Sequence, residues 1–334
     1  MTDRPQTAPR KPATLRDVAR EAGVSIAAAS YSLNGGGTIG SEARARVREA
    51  AQRIGYRPNR SAQAVRTGRA TSLGLIVPDL NNPFFPGLAQ AVERAARRAG
   101  YTVVLIDTAN SAEKEVEAVR DLETYGVAGA VWCQTAIDLA GEPGDYQIPL
   151  LVMGAPGKSF DNVVGDDVAG MRLAAAHLLA MGHRRIGSIS GMVPDPIDER
   201  RRTFLAAVEG QAEVVWDVRT PFSIDISDAV VTALARREAT AVMCGNDLIA
   251  IGVLKAARRL GIRVPEELSV VGFDDIPWAS IVTPALTTVH QPLREMGELA
   301  TTLLLDRIAE PDRAARHFKV DVRLVERDSV TRLA

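Results

Sequence analysis

Short apolar runs that end in a carboxylate, an amide or an aromatic residue mark where this chain could hold a polar ligand. Asn82, Phe84 and Phe85 follow the run 72–77, Asp166 follows Val163 and Val164, and Arg200 opens a helical stretch beyond the Gly191 loop. Asn246 comes just after Cys244, Asp274 just after Phe273, and Phe222 is a further aromatic candidate. Carboxylates and side-chain amides form paired hydrogen bonds with neighbouring hydroxyls, and an aromatic face covers C–H surface, so the set suits a carbohydrate. Each residue also has a plainer use. Asn246 and Asp247 are equally suited to capping a helix that begins at Leu248, Asp274 and Asp275 to an ordinary turn, and Asp166 to another cap. Phe84 suits a core, and Arg200 is one of three consecutive arginines that suit a surface.

Enzyme chemistry finds less support. No predicted strand leads into G-x-G-x-x-G, and neither a G-x-x-x-x-G-K-[ST] loop nor a G-x-S-x-G elbow occurs. The histidines His177, His183, His290 and His317 are scattered, and the first two lie too far apart for a helical zinc pair, so no metal and no cofactor are expected. Cys133 and Cys244 fall in predicted strands and read as reduced core residues of a cytoplasmic protein.

The elements that position these residues alternate. Strands are predicted over 72–77, 102–106 and 128–133, with helices over 88–99 and 113–125 between them. A second block has a helix before Gly182, then strands over 185–190, near Val214, over 240–244 and over 269–273. Its helices lie after Arg200 and over 227–237 and 248–260. This rhythm generates parallel sheets, and about 260 residues suffice for two doubly wound lobes. Ligands bind such sheets beyond the carboxyl ends of the strands, which is where the candidates fall.

The first 69 residues differ. They hold 13 Lys plus Arg against 5 Asp plus Glu, leaving 27 against 36 in the rest, so the net charge of −1 conceals a basic leading segment on an acidic body. A segment of that kind suits phosphate neutralisation. Within it, Thr14 can cap a first helix with Asp17 as its acidic partner, Gly23 supplies a turn, and Ser25 caps a second helix over 26–33 that presents Ile26, Ala27 and Ala28 at its leading end. Ser41 can cap a third, with Val47, Ala50, Ala51 and Ile54 on one face. Two short helices around a tight turn have the layout of a DNA-reading head.

The stretches LRDVAREAGVS, SLN, RIGYRPNRSAQAV, LGLIVPDLNNPFF, HLLAMGHRRI, CGNDLIAIG, VPEELSVVGFDD and TPALTTVHQP make the chain resemble, over nearly its whole length, the lac repressor and galactose repressor family of bacterial transcription regulators. The resemblance implies that Ile26, Ala27 and Tyr31 sit where family members read bases in the major groove. Position 28, usually Thr, is Ala, and position 31, often Arg or His, is Tyr, so the base preference of relatives does not carry over. Ile26 and the alanines can make apolar contacts, as with a thymine methyl, while Ser25, Tyr31, Ser32 and Asn34 keep polar groups for bases or phosphates. The stretch NRSAQAVR over 59–66 corresponds to the family's hinge helix, which folds when two subunits meet on DNA and inserts a side chain, typically Leu, into the minor groove. Val65 holds that place here, with Ala62 beside it and Arg60 and Arg66 flanking it. The family's effector-binding positions fall on Phe84, Arg200, Asn246 and Asp274.

The expected fold is thus an all-α helix-turn-helix head plus an α/β body of two doubly wound parallel-sheet lobes of the periplasmic-binding-protein type. Its expected parts are a disordered tail over 1–13, a head over 14–58, a hinge and linker over 59–70, and an effector-binding and dimerisation body over 71–334. The expected partners are a double-stranded, pseudo-palindromic operator and a small effector, a carbohydrate by resemblance. A homodimer is expected because leucine heptads are missing from the last residues, and no membrane. The rival readings are a small-molecule binding protein without specific DNA recognition and an exported sugar-binding protein; the first 20 residues lack the apolar run that export would need.

Overall fold

Thr14 starts the first helix of the head. Its hydroxyl accepts from the Asp17 N–H at 3.3 Å and the Asp17 carboxylate accepts from the Thr14 N–H at 2.9 Å, a reciprocal cap on α1 (Leu15–Ala22). Gly23, in the left-handed region at φ 66°, ends that helix. Ser25 Oγ accepts from the Ala28 N–H at 3.1 Å and opens α2 (Ile26–Asn34). At α3 (Ser41–Arg53) the structure corrects the expectation: Gly40 stands at the cap and Ser41 is already helical, with no side-chain cap bond. Glycine is among the residues accepted at a helix N-cap. Val18, Ala19, Ala29, Val47 and Ala50 form the small core of this unit.

The computed structural model describes residues 13–34, 39–57, 70–134, 141–154, 159–192 and 198–333, and the chain divides into two units, 1–70 and 71–334. The predicted tail and hinge, apart from Ala13 and Ala70, lie outside the described residues, and with them Arg60, Ala62 and Val65.

In chain order the body runs β1 (Ser72–Val77), α4 (Phe84–Arg98), β2 (Thr102–Asp107), α5 (Ala112–Thr124), β3 (Ala130–Cys133), β4 (Leu150–Met153), β5 (Asp161–Gly165) and α6 (Asp167–Ala180). It continues with β6 (Arg185–Ser190), α7 (Glu199–Val208), β7 (Glu213–Arg219), α8 (Asp228–Ala235), β8 (Ala241–Cys244), α9 (Asp247–Arg259) and β9 (Ser269–Asp274). Last come β10 (Thr287–His290), α10 (Leu293–Ala309), β11 (His317–Val320) and β12 (Arg323–Val325). One sheet has the order β11-β5-β4-β3-β1-β2 and the other β12-β10-β9-β8-β6-β7. Every pairing is parallel except β10 with β12. The central strands β3, β4, β8 and β9 are buried at every position, as parallel strands covered on both faces must be.

The chain passes between the two sheets after β5, after β10 and after β11, so each lobe takes strands from separate parts of the sequence. Leu73, Leu75, Val131 and Leu151 pack with Met296, Ala300 and Leu304 of α10 in one lobe. In the other, Met171, Ala174 and Leu178 of α6 pack on Ile186, Phe204 and Phe273. The elements β4, β10, β11, β12 and α10 were not part of the alternation read from sequence. In α10, Gly297 and Thr301 dilute the helical signal, and the tertiary fold explains the glycine: a Cβ there would lie 2.6 Å from Ala91 Cβ on α4.

Candidate functional site

The carboxyl edge of the second sheet gathers side chains from five segments. Asp274 is the last residue of β9, buried and held at φ 110°, a conformation that non-glycine residues seldom adopt. Its Oδ1 accepts from Gln291 Nε2 at 2.8 Å and lies 3.4 Å from Arg200 Nη1. Arg200, the second residue of α7, also donates through Nη1 to the Gly245 carbonyl at 3.0 Å and pairs through Nε with Asp167 Oδ2 at 3.0 Å. Its guanidinium carbon stands 3.9 Å from the centre of the Phe273 ring. The charged fork is thereby held through Nε, through Nη1 and across its face.

Electrostatics marks out two of the buried carboxyls of this edge, Asp274 and Asp247. Burial pushes Asp274 up to about 6, against the opposing pull of the Arg200 charge and the Gln291 hydrogen bond. Asp247 is fully buried and its carboxyl is pushed well above the usual range, first by burial and then by the charge of Asp274. It accepts from Thr288 Oγ1 and from the Ile276 N–H, the latter at 2.8 Å. Asp247 therefore braces the turn behind Asp274 and does not cap a helix. The neighbouring Asp275 is taken by Arg327 at 2.6 Å and His290 Nδ1 at 2.9 Å.

The predicted residues do not all play alike. Asn246 Oδ1 accepts from the Ile249 N–H at 3.0 Å, so it caps α9 while standing at the edge. Asp166 Oδ1 accepts from the Ala169 N–H at 3.0 Å and caps α6; its neighbour Asp167 is the residue that meets Arg200. Phe222 does reach the edge: a Cβ on Gly191 would lie 2.0 Å from its Cζ, so the ring rests directly on the backbone beyond β6. Asn82, Phe84 and Phe85 form a separate group at the carboxyl end of β1. There Asn82 Oδ1 accepts from the Phe84 N–H at 3.1 Å, and the two rings meet edge to face at 5.1 Å, half-buried against the first lobe's core.

Sequence reasoning missed Asp167, Gln291, Ser190 and Asp198. Gln291 follows β10, a strand the alternation did not reveal, and it lies in a crossing between lobes. A Cβ on Gly165, the end of β5, would come within 2.4 Å of Gln291 Oε1, while its Nε2 holds Asp274. Ser190 Oγ, at the end of β6, and Asp198 Oδ2, at the start of α7, are buried and make no hydrogen bond among the described residues. The other Asp198 oxygen accepts from the Arg201 N–H at 3.0 Å. Buried polar atoms without partners are costly unless a ligand or water meets them. The edge thus offers acceptors and donors at fixed positions, which is the chemistry of recognising a polyhydroxy compound. Among the described residues no cluster of His, Cys, Asp and Glu could hold a metal ion.

In the head, α2 exposes Ile26, Ala27 and Tyr31, with Ala28 half-exposed. Asn34 closes this helix. Ser32 departs from its predicted place: it is 2% exposed, because it falls three residues after the core residue Ala29 on the same helical face.

A capped helix-turn-helix head on a two-lobed parallel-sheet body with a polar network at its strand ends defines the class of ligand-responsive DNA-binding regulators. Residues 14–59 match the bacterial regulatory proteins of the lacI family, and residues 175–330 match a periplasmic binding protein-like domain. The chain is 34% identical over 320 residues to the ribose operon repressor of Halalkalibacterium halodurans, covering 95% of this chain and 96% of that one. It superposes on the lac repressor dimer bound to operator and the anti-inducer ONPF with a TM-score of 0.85 at 25% identity, covering 96% and 100% of the two chains. A regulator from Enterococcus faecium with bound ribose gives 0.70 at 28% identity, over 79% and 100%. The chain belongs to the lacI family of bacterial regulatory proteins. No helix among the described residues is long and apolar enough to cross a membrane.

Proposed function

We propose that this protein is a cytoplasmic, sequence-specific transcription repressor that acts as a homodimer on a pseudo-palindromic operator. Its hold on DNA is set by a small effector, a sugar or sugar derivative, and it has no catalytic role. The observation that carries this reading is Gln291, a residue of the lobe crossing that holds Asp274 at the ligand edge while lying against Gly165 of the other lobe. A ligand whose hydroxyls donate hydrogen bonds to Asp274 competes with the Gln291 amide and so biases how the lobes meet. Such a ligand alters operator affinity only by its different affinity for the DNA-competent and incompetent states.

In the head, Ile26, Ala27, Ala28 and Tyr31 face the bases, and Ser25 and Asn34 stand at the two ends of the helix that carries them. Arg60, Ala62 and Val65 serve the hinge. One small head buries too little surface for tight specific binding, which supports two heads on a twofold dimer. At the ligand edge, Arg200, Asn246 and Asp274 take the hydroxyls and Phe222 covers C–H surface; Asn82, Phe84 and Phe85 act from the first lobe, and Asp166 works through the cap that sets Asp167.

The test is selection from a random DNA pool by the full chain, followed by titration of the selected duplex in the presence of a panel of neutral sugars that includes ribose. Enrichment of a pseudo-palindrome whose affinity one sugar changes is expected. Retention without an enriched sequence would overturn the regulator reading in favour of a binding protein that lacks DNA specificity.

A further inference from the structure

The outward helix of the head carries no charge. The stretch IAAASYSLN that forms α2 contains no Arg, Lys, His, Asp, Glu or Gln, and its one amide, Asn34, is its last residue, about 12 Å along the axis from Ile26. The arginines of the head stand on the neighbouring helices, Arg16 and Arg20 on α1 and Arg44, Arg46, Arg48 and Arg53 on α3. The serines of α2 are withdrawn as well, with Ser30 and Ser32 both buried. Ser25, just before the helix, accepts from the Ala28 N–H as its cap.

What is left outside is almost entirely carbon. Ile26 is 46% and Tyr31 51% exposed, Ala27 is exposed and Ala28 half-exposed. Ala27 and Tyr31 are four residues apart and share a face, with Ile26 beside them at the leading end. In the major groove, guanine is distinguished by paired hydrogen bonds from Arg or Lys, adenine by Asn or Gln, and the cytosine amino group by Asp or Glu. None of these side chains stands on the first two turns of α2. The one apolar group on a base edge in that groove is the C5 methyl of a pyrimidine, which thymine carries and cytosine gains only on methylation.

We infer that the head recognises its half-site through pyrimidine C5 methyl groups, with Ile26 covering one of them. The inference rests on α2 being the base-reading helix of a sequence-specific regulator. Affinity and choice are then divided between elements: the arginines of α1 and α3 supply the attraction to phosphate that any duplex offers, and methyl contact on α2 selects among duplexes. Thymine provides the methyl in unmodified DNA, and 5-methylcytosine offers the same group at the same place. Covering one methyl is worth about fourfold in affinity, or about 15-fold when both half-sites of a symmetric site carry it.

The experiment begins with selection from a random duplex pool by the full chain. In the selected duplex, thymines are then replaced by uracil, which lacks only the methyl, one symmetric pair at a time. At one pair or more, binding should weaken about 15-fold. Ile26→Ala should bind the thymine duplex as weakly as the wild type binds the uracil duplex, and should lose no more than about twofold further on uracil at that pair. With cytosine at the same pair, methylation at C5 should strengthen wild-type binding about 15-fold and leave Ile26→Ala within about twofold. Three results would each overturn the methyl inference and leave the regulator reading standing: no pair sensitive to uracil, an undiminished uracil penalty in Ile26→Ala, or equal binding of cytosine and 5-methylcytosine. Absence of any enriched sequence would overturn both. The wild-type uracil and methylcytosine series decide the matter even if the alanine variant fails to fold.

Discussion

The outward face of α2 and the carboxyl edge of the second lobe's sheet are made of opposite materials. The helix face is apolar and open, with Ile26 46% and Tyr31 51% exposed, and it comes from a handful of consecutive residues. The sheet edge is polar and closed, with Asn246 and Asp274 buried, and its parts are spread along the chain from Asp167 to Gln291. A surface that meets DNA can leave its side chains in water until binding. A site that encloses a ligand desolvates its polar groups beforehand and holds most of them by partners, so losing one member disturbs the others. Mutations should therefore cost little on the helix and much at the edge.

The largest effect expected from that contrast is at Asp274. Removing it with Asp274→Ala takes away an acceptor for the ligand and frees both Gln291 and one side of Arg200. Effector affinity should fall about 100-fold, roughly 3 kcal/mol, while operator affinity without effector stays between the wild type's effector-free and effector-bound values, since Gln291 is released. Anisotropy titration of labelled operator, with and without the sugar found to act, measures both. Loss of the two together would point to misfolding and remove Asp274 from the site.

Acidity gives a second handle on the same residue. Burial raises Asp274 from the ordinary 3.8 to about 6, so between those values the folded state binds more protons than the unfolded one. Its contribution is fully present below about 4 and is lost as pH rises through 6, on the order of 3 kcal/mol. Chemical denaturation across that window should show this decline, and Asp274→Asn should flatten it; an unchanged slope in the variant would assign the decline to other groups such as Asp247. Effector affinity should move the other way and improve above pH 6, because a carboxylate accepts from more hydroxyls than a carboxylic acid does.

The same contrast explains what could be read from the sequence. The strands β1 and β6 and the first two caps of the head, at Thr14 and Ser25, depend on neighbours within a few residues, and they lie where the pattern put them. The two sheets and their parallel rhythm were legible for the same reason. Gln291 was not, because its strand β10 has only four residues and its role comes from a crossing that joins Gly165 to Asp274 across more than a hundred residues. Asp166 and Asp167 differ by one position, and only the turn of α6 decides which of them caps the helix and which reaches Arg200. Phe222 was a candidate from the sequence, but what seats it at the edge is the space over Gly191, a tertiary fact.

On the helix face the expected losses are smaller. Tyr31→Ala removes the exposed phenol at the position proposed to read bases, and operator affinity should drop about tenfold, close to 1.4 kcal/mol. Non-specific DNA should be held as before, since no phosphate-binding cation changes. A parallel loss on random duplex would show that Tyr31 meets the backbone and does not read sequence.

The smallest effect, and the sharpest test of how α2 is oriented, belongs to Ser32. Its hydroxyl is buried and makes no hydrogen bond among the described residues, and it shares a face with Ala29 in the core of the head. An unsatisfied buried hydroxyl contributes nothing that an alanine would lose, so Ser32→Ala should leave the head's stability unchanged or raised by several tenths of a kcal/mol. Operator affinity should stay within about twofold. A tenfold fall would mean that Ser32 turns outward on DNA, and then the helix that reads bases would have to rotate from the face that Ile26, Ala27 and Tyr31 define, because Ser32 and Tyr31 stand about 100° apart on a helix and cannot both lie at the centre of one contact face.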